Sequence, residues 1–228
     1  MSKFEAIILS GGKGTRVSKF TKKIPKCLID INGQPFLYYQ LKLLKKNNIN
    51  NVIISVGYLA ENVNEYLKHN VNFLNLKIID DGKKLLGTGG AIVKSLKFLK
   101  TNFFVIYGDS YLDFDMYKLK KKNNVATMAI YKNNNKFDKS NIFLKNNKKV
   151  LYYKKNSKKN LQYIDYGASY LNKKIFKDSK KNKKFDLSDI FVKISKNNML
   201  IGHKVKKRFY EIGSYSGIKE IKNYLKKK

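Results

Sequence analysis

The chain has 228 residues, is 43% hydrophobic, and carries 49 Lys and Arg against 16 Asp and Glu, for a formal net charge of +33. That length supports one sizeable core, and the lone Cys27 excludes an internal disulfide and fits a reducing cytoplasm, with no apolar run long enough for a membrane span or a signal-peptide core. The lysines alternate with asparagines along the whole chain, as at 45–48, 120–124 and 180–184, so the charge reads as compositional bias on a solvated surface. No specific nucleic-acid partner is expected, only weak polyanion binding at low salt.

In chain order, the run Ala6 to Leu9 reads as a buried strand that empties into Ser10, Gly11, Gly12, Lys13, Gly14, Thr15 and Arg16, with Pro25 and Lys26 beyond. Glycine lets consecutive backbone N–H groups approach an anion, and Arg16 and Lys26 add a fork of donors and a movable point charge. The loop reads as a polyphosphate site, with a tight turn flanked by solvated cations as the alternative. The spacing excludes a Walker A loop, because Gly14 stands where that motif has Ser or Thr, and the dinucleotide fingerprint, because Val17 replaces its third glycine.

Helices are expected over Pro35 to Lys46 and Ala60 to Lys68, and strands over Val52 to Val56 and Leu76 to Ile79. A second glycine cluster, Gly87, Thr88, Gly89 and Gly90, precedes a helix expected over Ile92 to Leu99, and its amides offer another place to meet a ligand. The most apolar strand, Phe103 to Tyr107, delivers Asp109 at its carboxyl end, where open α/β sheets bind ligands and where a carboxylate suits Mg²⁺. Asp113 and Asp115 read as a solvated turn and a helix cap. Strands follow over Val125 to Tyr131, Asn141 to Leu144, Val150 to Tyr153 and Tyr163 to Leu171, with a helix from Asp186 and a packing helix over Ile218 to Leu225. Alternating strands and helices argue for an α/β fold, a mostly parallel, Rossmann-like sheet with helices on both faces. His69 and His203 read as surface residues.

The order Leu9, Ser10, Gly11, Gly12, Lys13, Gly14, Thr15, Arg16, then Thr21, Pro25 and Lys26 resembles the signature of the sugar-1-phosphate nucleotidyltransferases. Later stretches resemble that family in the same order, so the likeness spans nearly the whole chain. It implies the nucleotide-diphospho-sugar transferase type of fold, one domain of 1–228 with a nucleotide-binding half to about 122 and a smaller sugar-binding lobe from about 123. It also implies nucleotide binding by Leu9, Ser10, Gly11, Gly12, Gly14, Thr15, Arg16, Gly87, Thr88 and Gly89, catalysis by Arg16 and Lys26, and a magnesium ion on Asp109 and Glu211. Many family members have Asp where this chain has Glu211. Lys154, beside Lys155, together with Asp165 and Gly167, would bind the sugar phosphate.

The partners implied are a nucleoside triphosphate and a sugar 1-phosphate, and a homo-oligomer stays open. The resemblance points to short heptose- or mannose-1-phosphate guanylyltransferases. A cytidylyl- or uridylyltransferase on another phosphorylated small molecule, or a non-catalytic nucleotide-binding regulatory subunit, are the alternatives. No residue of the sequence separates guanine from uracil or cytosine.

Overall fold

The computed structural model describes residues 3–12, 14–82, 84–121, 125–154, 158–181 and 183–228; Lys13 of the glycine loop and Lys155 lie outside the described residues. Strand β1 (Phe4–Leu9) opens the chain, and alternation decides its two faces: Ala6 and Ile8 enter one apolar cluster and Ile7 the other. A short turn of helix, α1 (Ser18–Thr21), and a ribbon of β2 (Asp30–Ile31) and β3 (Gln34–Pro35) lead to helix α2 (Phe36–Lys46). Leu37, Leu41 and Leu44 of α2 recur at helical spacing and pack on the Ala6 face.

Strand β4 (Asn51–Val56), helix α3 (Ala60–Asn70), strand β5 (Asn75–Asp80), helix α4 (Gly87–Ser95) and strand β6 (Leu99–Tyr107) complete the first half. Helix α4 starts earlier than the expected Ile92 and ends before Leu99, which begins the next strand. Past Leu96 the apolar residues Leu99, Phe103 and Phe104 serve an extended segment, and a short apolar run does not by itself separate the two periods.

The remaining elements are β7 (Ser110–Tyr111), β8 (Ala126–Lys132), β9 (Ile142–Leu144), β10 (Val150–Tyr152), β11 (Tyr163–Asn172), helix α5 (Leu187–Lys196), β12 (Leu200–Val205), β13 (Tyr210–Glu211) and helix α6 (Tyr215–Lys226). Strand β12 was not expected from the sequence, because Gly202, His203 and Lys204 dilute its apolar pattern; it runs parallel to β8.

One nine-stranded sheet carries both halves. Strands β5, β4, β1 and β6 are parallel neighbours, β11 continues antiparallel to β6, and β8 pairs antiparallel to β11. The second half therefore extends the first sheet instead of forming a sheet of its own. Helices α2 and α3 cover one face and α4 and α5 the other, as the two large apolar clusters record. A third cluster ties Val17 and the β2–β3 ribbon to Tyr111, Ile212, Ile218 and Ile221, which fastens α6 and β13 against the loop after β1.

Candidate active site

The carboxyl ends of β1, β4, β5 and β6 meet at one edge. Ser10 N donates to Ser55 O at 2.8 Å, Asp81 N to Val56 O at 2.8 Å, and Gly108 N to Leu9 O at 3.0 Å. Above this edge opens a cavity of about 680 Å³ whose walls include Leu9, Ser10, Gly11, Gly12, Arg16, Lys26, Asp109, Asp165, Gly167 and Glu211. Among the described residues none accepts a hydrogen bond from the Gly11 or Gly12 amides, which leaves these donors for a ligand. Gly14 turns the loop with φ 65°, and a Cβ there would stand 2.8 Å from Thr21 Cγ2. The Thr21 hydroxyl fixes that turn by donating to Gly14 O at 3.1 Å. Gly14 and Thr15 shape the loop without being walls of the cavity.

Antiparallel pairing of β13 with β7 sets Glu211 opposite Ser110, and Ile212 N donates to Asp109 O at 3.0 Å, so residues 102 positions apart in the chain become neighbours. Lys26 Nζ holds Asp109 Oδ2 at 2.7 Å, and Ser110 Oγ donates to Asp109 Oδ1 at 3.2 Å. Burial raises the Asp109 carboxyl, but Lys26, Ser110 and Arg16 outweigh it and hold the group below its ordinary range, so it is ionised at neutral pH. Glu211 accepts from Gly213 N and from Ser214 Oγ. A Cβ on Gly213 would lie 3.1 Å from Arg16 Nη2 and 3.2 Å from Lys26 Nζ, which puts both cations beside Glu211. Glycine loop, two cations and two carboxylates thus share one crevice.

Each carboxylate oxygen of this pair carries one described partner and has a lone pair left, which fits a hard cation that takes one or two carboxylates plus phosphate oxygens. Among the described residues no cluster of three or more metal-ligating side chains occurs. Cys27 also lines the cavity, but burial pushes its thiol up to about 12, so no thiolate nucleophile exists at neutral pH. Neither His69 nor His203 is a wall of the cavity.

The second half supplies the opposite wall. Asp165 Oδ1 accepts from Gly167 N at 2.9 Å, its Oδ2 from Tyr107 OH at 3.2 Å, and its own amide donates to Asn141 Oδ1 at 2.9 Å. Gly167 has φ 100°, and a Cβ there would press on Ser110 Oγ at 3.1 Å, so glycine lets β11 close on the β6–β7 turn. Lys154 is not a wall of the cavity. Its side chain is 54% exposed and its ammonium pairs with Asp189 Oδ1 at 2.5 Å, in the first turn of α5.

Two expectations need correction. The second glycine cluster does not offer its amides as a set. Gly89 N and Gly90 N donate to Phe185 O at 3.0 and 3.3 Å, and Leu187 N donates to Thr88 Oγ1 at 2.8 Å. The glycines there admit the 183–186 segment: Gly87 has φ 71° and a Cβ on it would stand 2.6 Å from Phe185 O. Gly87 and Thr88 remain walls of the cavity, whereas Gly89 does not. Asp113, expected as a solvated turn, is 9% exposed and held by Lys207 at 3.1 Å, Lys228 at 2.8 Å and the Tyr224 hydroxyl at 3.2 Å. Its lysine partners are more than ninety residues ahead in sequence and invisible to local pattern. Asp115 does cap a turn, accepting from Tyr117 N at 3.1 Å.

Sequence reasoning missed the cavity-lining residues Asn141, Tyr107, Tyr152 and Phe137, and also Ser55 and Asp81. For Ser55 and Asp81 a signal existed: both lie at or just past the carboxyl end of a parallel strand.

The sequence profile described as Nucleotidyl transferase matches residues 5–228. The chain belongs to the nucleotidyl transferase family. It is 39% identical over 176 residues, 76% of this chain and 78% of the relative, to D-glycero-alpha-D-manno-heptose 1-phosphate guanylyltransferase of Campylobacter jejuni. The enzyme of the same name from Aneurinibacillus thermoaerophilus is 30% identical over 177 residues, 75% of this chain and 76% of the relative. Among solved structures, HddC from Yersinia pseudotuberculosis complexed with GMP-PN superposes with a TM-score of 0.82 at 24% identity, covering 97% of this chain and 99% of that one, a likeness of fold. As a family member the chain is a nucleotidyltransferase. Among the described residues no helix is long and apolar enough to cross a membrane.

Proposed function

We propose that this nucleotidyltransferase joins GMP from GTP to a heptose or mannose 1-phosphate and releases pyrophosphate. The convergence of Gly11, Gly12, Arg16, Lys26, Asp109 and Glu211 in one crevice carries this reading. A phosphate oxygen of the sugar 1-phosphate attacks the α-phosphorus in line; the new oxygen–phosphorus bond forms as the bond to the β-phosphate oxygen breaks. Such chemistry asks for positioning and charge neutralisation, not a covalent nucleophile, which agrees with the protonated Cys27.

The Gly11 and Gly12 amides and Arg16 grip the β- and γ-phosphates and hold the leaving group. Lys26, drawn from Asp109 by the incoming phosphates, meets the charge that grows on the α-phosphoryl oxygens. Asp109 and Glu211 would hold Mg²⁺, which when bound neutralises phosphate charge and orients the reacting oxygens. Asp165, Asn141 and the Gly167 backbone face the sugar, and Phe137, Tyr152 and Phe209 supply apolar wall. The experiment is pyrophosphate release across four nucleoside triphosphates and several sugar 1-phosphates with Mg²⁺. Turnover confined to GTP with a heptose or mannose 1-phosphate is expected. Turnover only with another base or another acceptor would replace the substrate assignment.

A further inference from the structure

Gln40 is a polar residue on an apolar stripe. Helix α2 turns Leu37, Leu41 and Leu44 into the core, and Gln40, between Leu37 and Leu44 at helical spacing, falls on the same face at 3% exposure. An amide buried there costs free energy unless its hydrogen bonds are made, and an apolar side chain would suit the packing. The cost is not fully offset, because Gln40 Oε1 is buried with no hydrogen-bond partner.

The other end of the amide shows what the residue does. Gln40 Nε2 donates to Tyr107 O at 3.0 Å and to Ser110 O at 2.8 Å. Those two carbonyls flank Gly108 and Asp109, so one planar group spans the turn that carries the Asp109 carboxylate. A flipped amide would set Oε1 against both carbonyl oxygens, so the chemistry allows only this orientation. Main-chain bonds hold the turn on two further sides, Gly108 N to Leu9 O and Ile212 N to Asp109 O, both at 3.0 Å. Gln40 is not a wall of the cavity, so it reaches the reacting groups only through this turn.

We propose that Gln40 is a positioning residue for nucleotidyl transfer: its side-chain amide locks the 107–110 turn and so fixes where Asp109 stands relative to Lys26 and Glu211. The 2.7 Å contact of Lys26 Nζ with Asp109 Oδ2 and the pairing of Glu211 with Ser110 both depend on the path of that turn. A misplacement of about 1 Å at a reacting centre costs on the order of 10²-fold in rate. The consequence for turnover rests on the proposed function of Asp109, whereas the locking of the turn does not.

Gln40→Met keeps the length and the packing and removes both donors. Steady-state pyrophosphate release with GTP, heptose or mannose 1-phosphate and Mg²⁺ should show kcat lowered about 10-fold or more, with both KM values within about twofold of wild type. Amide hydrogen exchange followed by NMR should find the Gly108 and Ile212 N–H protons exchanging at least about 10-fold faster in the variant, with those of β4 unchanged. In the wild type, the two side-chain amide protons of Gln40 should exchange at least about 10-fold more slowly than those of the exposed Gln162. Wild-type kcat in a folded Gln40→Met, or unchanged exchange at Gly108 and Ile212, would overturn the proposal. So would raised KM values with kcat unchanged, or Gln40 protons that exchange as fast as those of Gln162. If the variant does not fold, the wild-type exchange comparison decides alone. If the wild type transfers no nucleotidyl group, the proposed function fails, while the exchange measurements still judge whether Gln40 locks the turn.

Discussion

Two glycine clusters follow strands of this sheet, one after β1 and one after β5, and they do different work. Gly11 and Gly12 line the cavity, their amides have no described acceptor, and a Cβ on Gly12 would meet nothing within 4 Å. At Gly89 and Gly90 the amides are engaged by Phe185 O, and a Cβ on Gly90 would come within 2.6 Å of Lys183 O. The first cluster leaves its donors for a ligand, and the second lets one half of the chain press on the other. Composition cannot distinguish these roles, because both follow from the same missing side chain. What separates them is the partner of each N–H, and that partner lies about a hundred residues away for the second cluster.

The contrast can be tested from its strongest consequence downward. Lys26→Ala removes the point charge beside the first cluster and should lower turnover by about 10²-fold or more, measured as steady-state pyrophosphate release. Turnover near wild type would take Lys26 out of the transition state. Gly12→Ala has room for its methyl in the free protein but puts it where phosphate belongs. It should cut kcat/KM by about 10-fold or more and leave the melting temperature in place. Gly90→Ala should do the reverse: overpacking against Lys183 costs about 1–3 kcal/mol, seen as a drop of several degrees in melting temperature. A stable Gly90→Ala with weakened nucleotide binding would erase the distinction.

The smallest expected effect lies away from both clusters. Lys228 and Lys207 overcome burial to hold Asp113 at about 2, below its unfolded value, so its contribution is full above the ordinary carboxylate range and fades as pH falls toward 2. Asp113→Asn should therefore melt about 2–4 °C lower than wild type at pH 7, the shift for about 1 kcal/mol in a chain of this size. The gap should narrow in acid. A gap that persists at low pH would mean that packing, not charge, explains the loss.

Much of the architecture was legible because β1, β4 and β6 are short runs of Ile, Val and Phe ending in Gly, Ser or Asp, the pattern of strands buried on both faces. Helix α2 was readable from Leu37, Leu41 and Leu44, since side chains at that spacing share a face. Strand β12 was hidden by its polar residues, and the start of α4 by glycines, which are poor helix formers that tertiary contact overrides here. In the site, Arg16, Lys26, Asp109 and Glu211 were found by motif and do meet in one crevice. Lys154 sits in an ion pair with Asp189 outside the cavity walls. Asp81 was passed over because an acidic pair before a glycine reads as a loop; only its burial and its unpaired oxygen set it apart.

The central claim is that the crevice cuts its triphosphate between the α- and β-phosphates and keeps the nucleoside monophosphate on the sugar. GTP labelled at the α-phosphorus or at the γ-phosphorus, incubated with heptose or mannose 1-phosphate and Mg²⁺, tests this in one separation of products. The account predicts α-label in a nucleotide-sugar and γ-label in pyrophosphate. Label from the γ-position on the sugar, or in free orthophosphate with GDP as the other product, would contradict it.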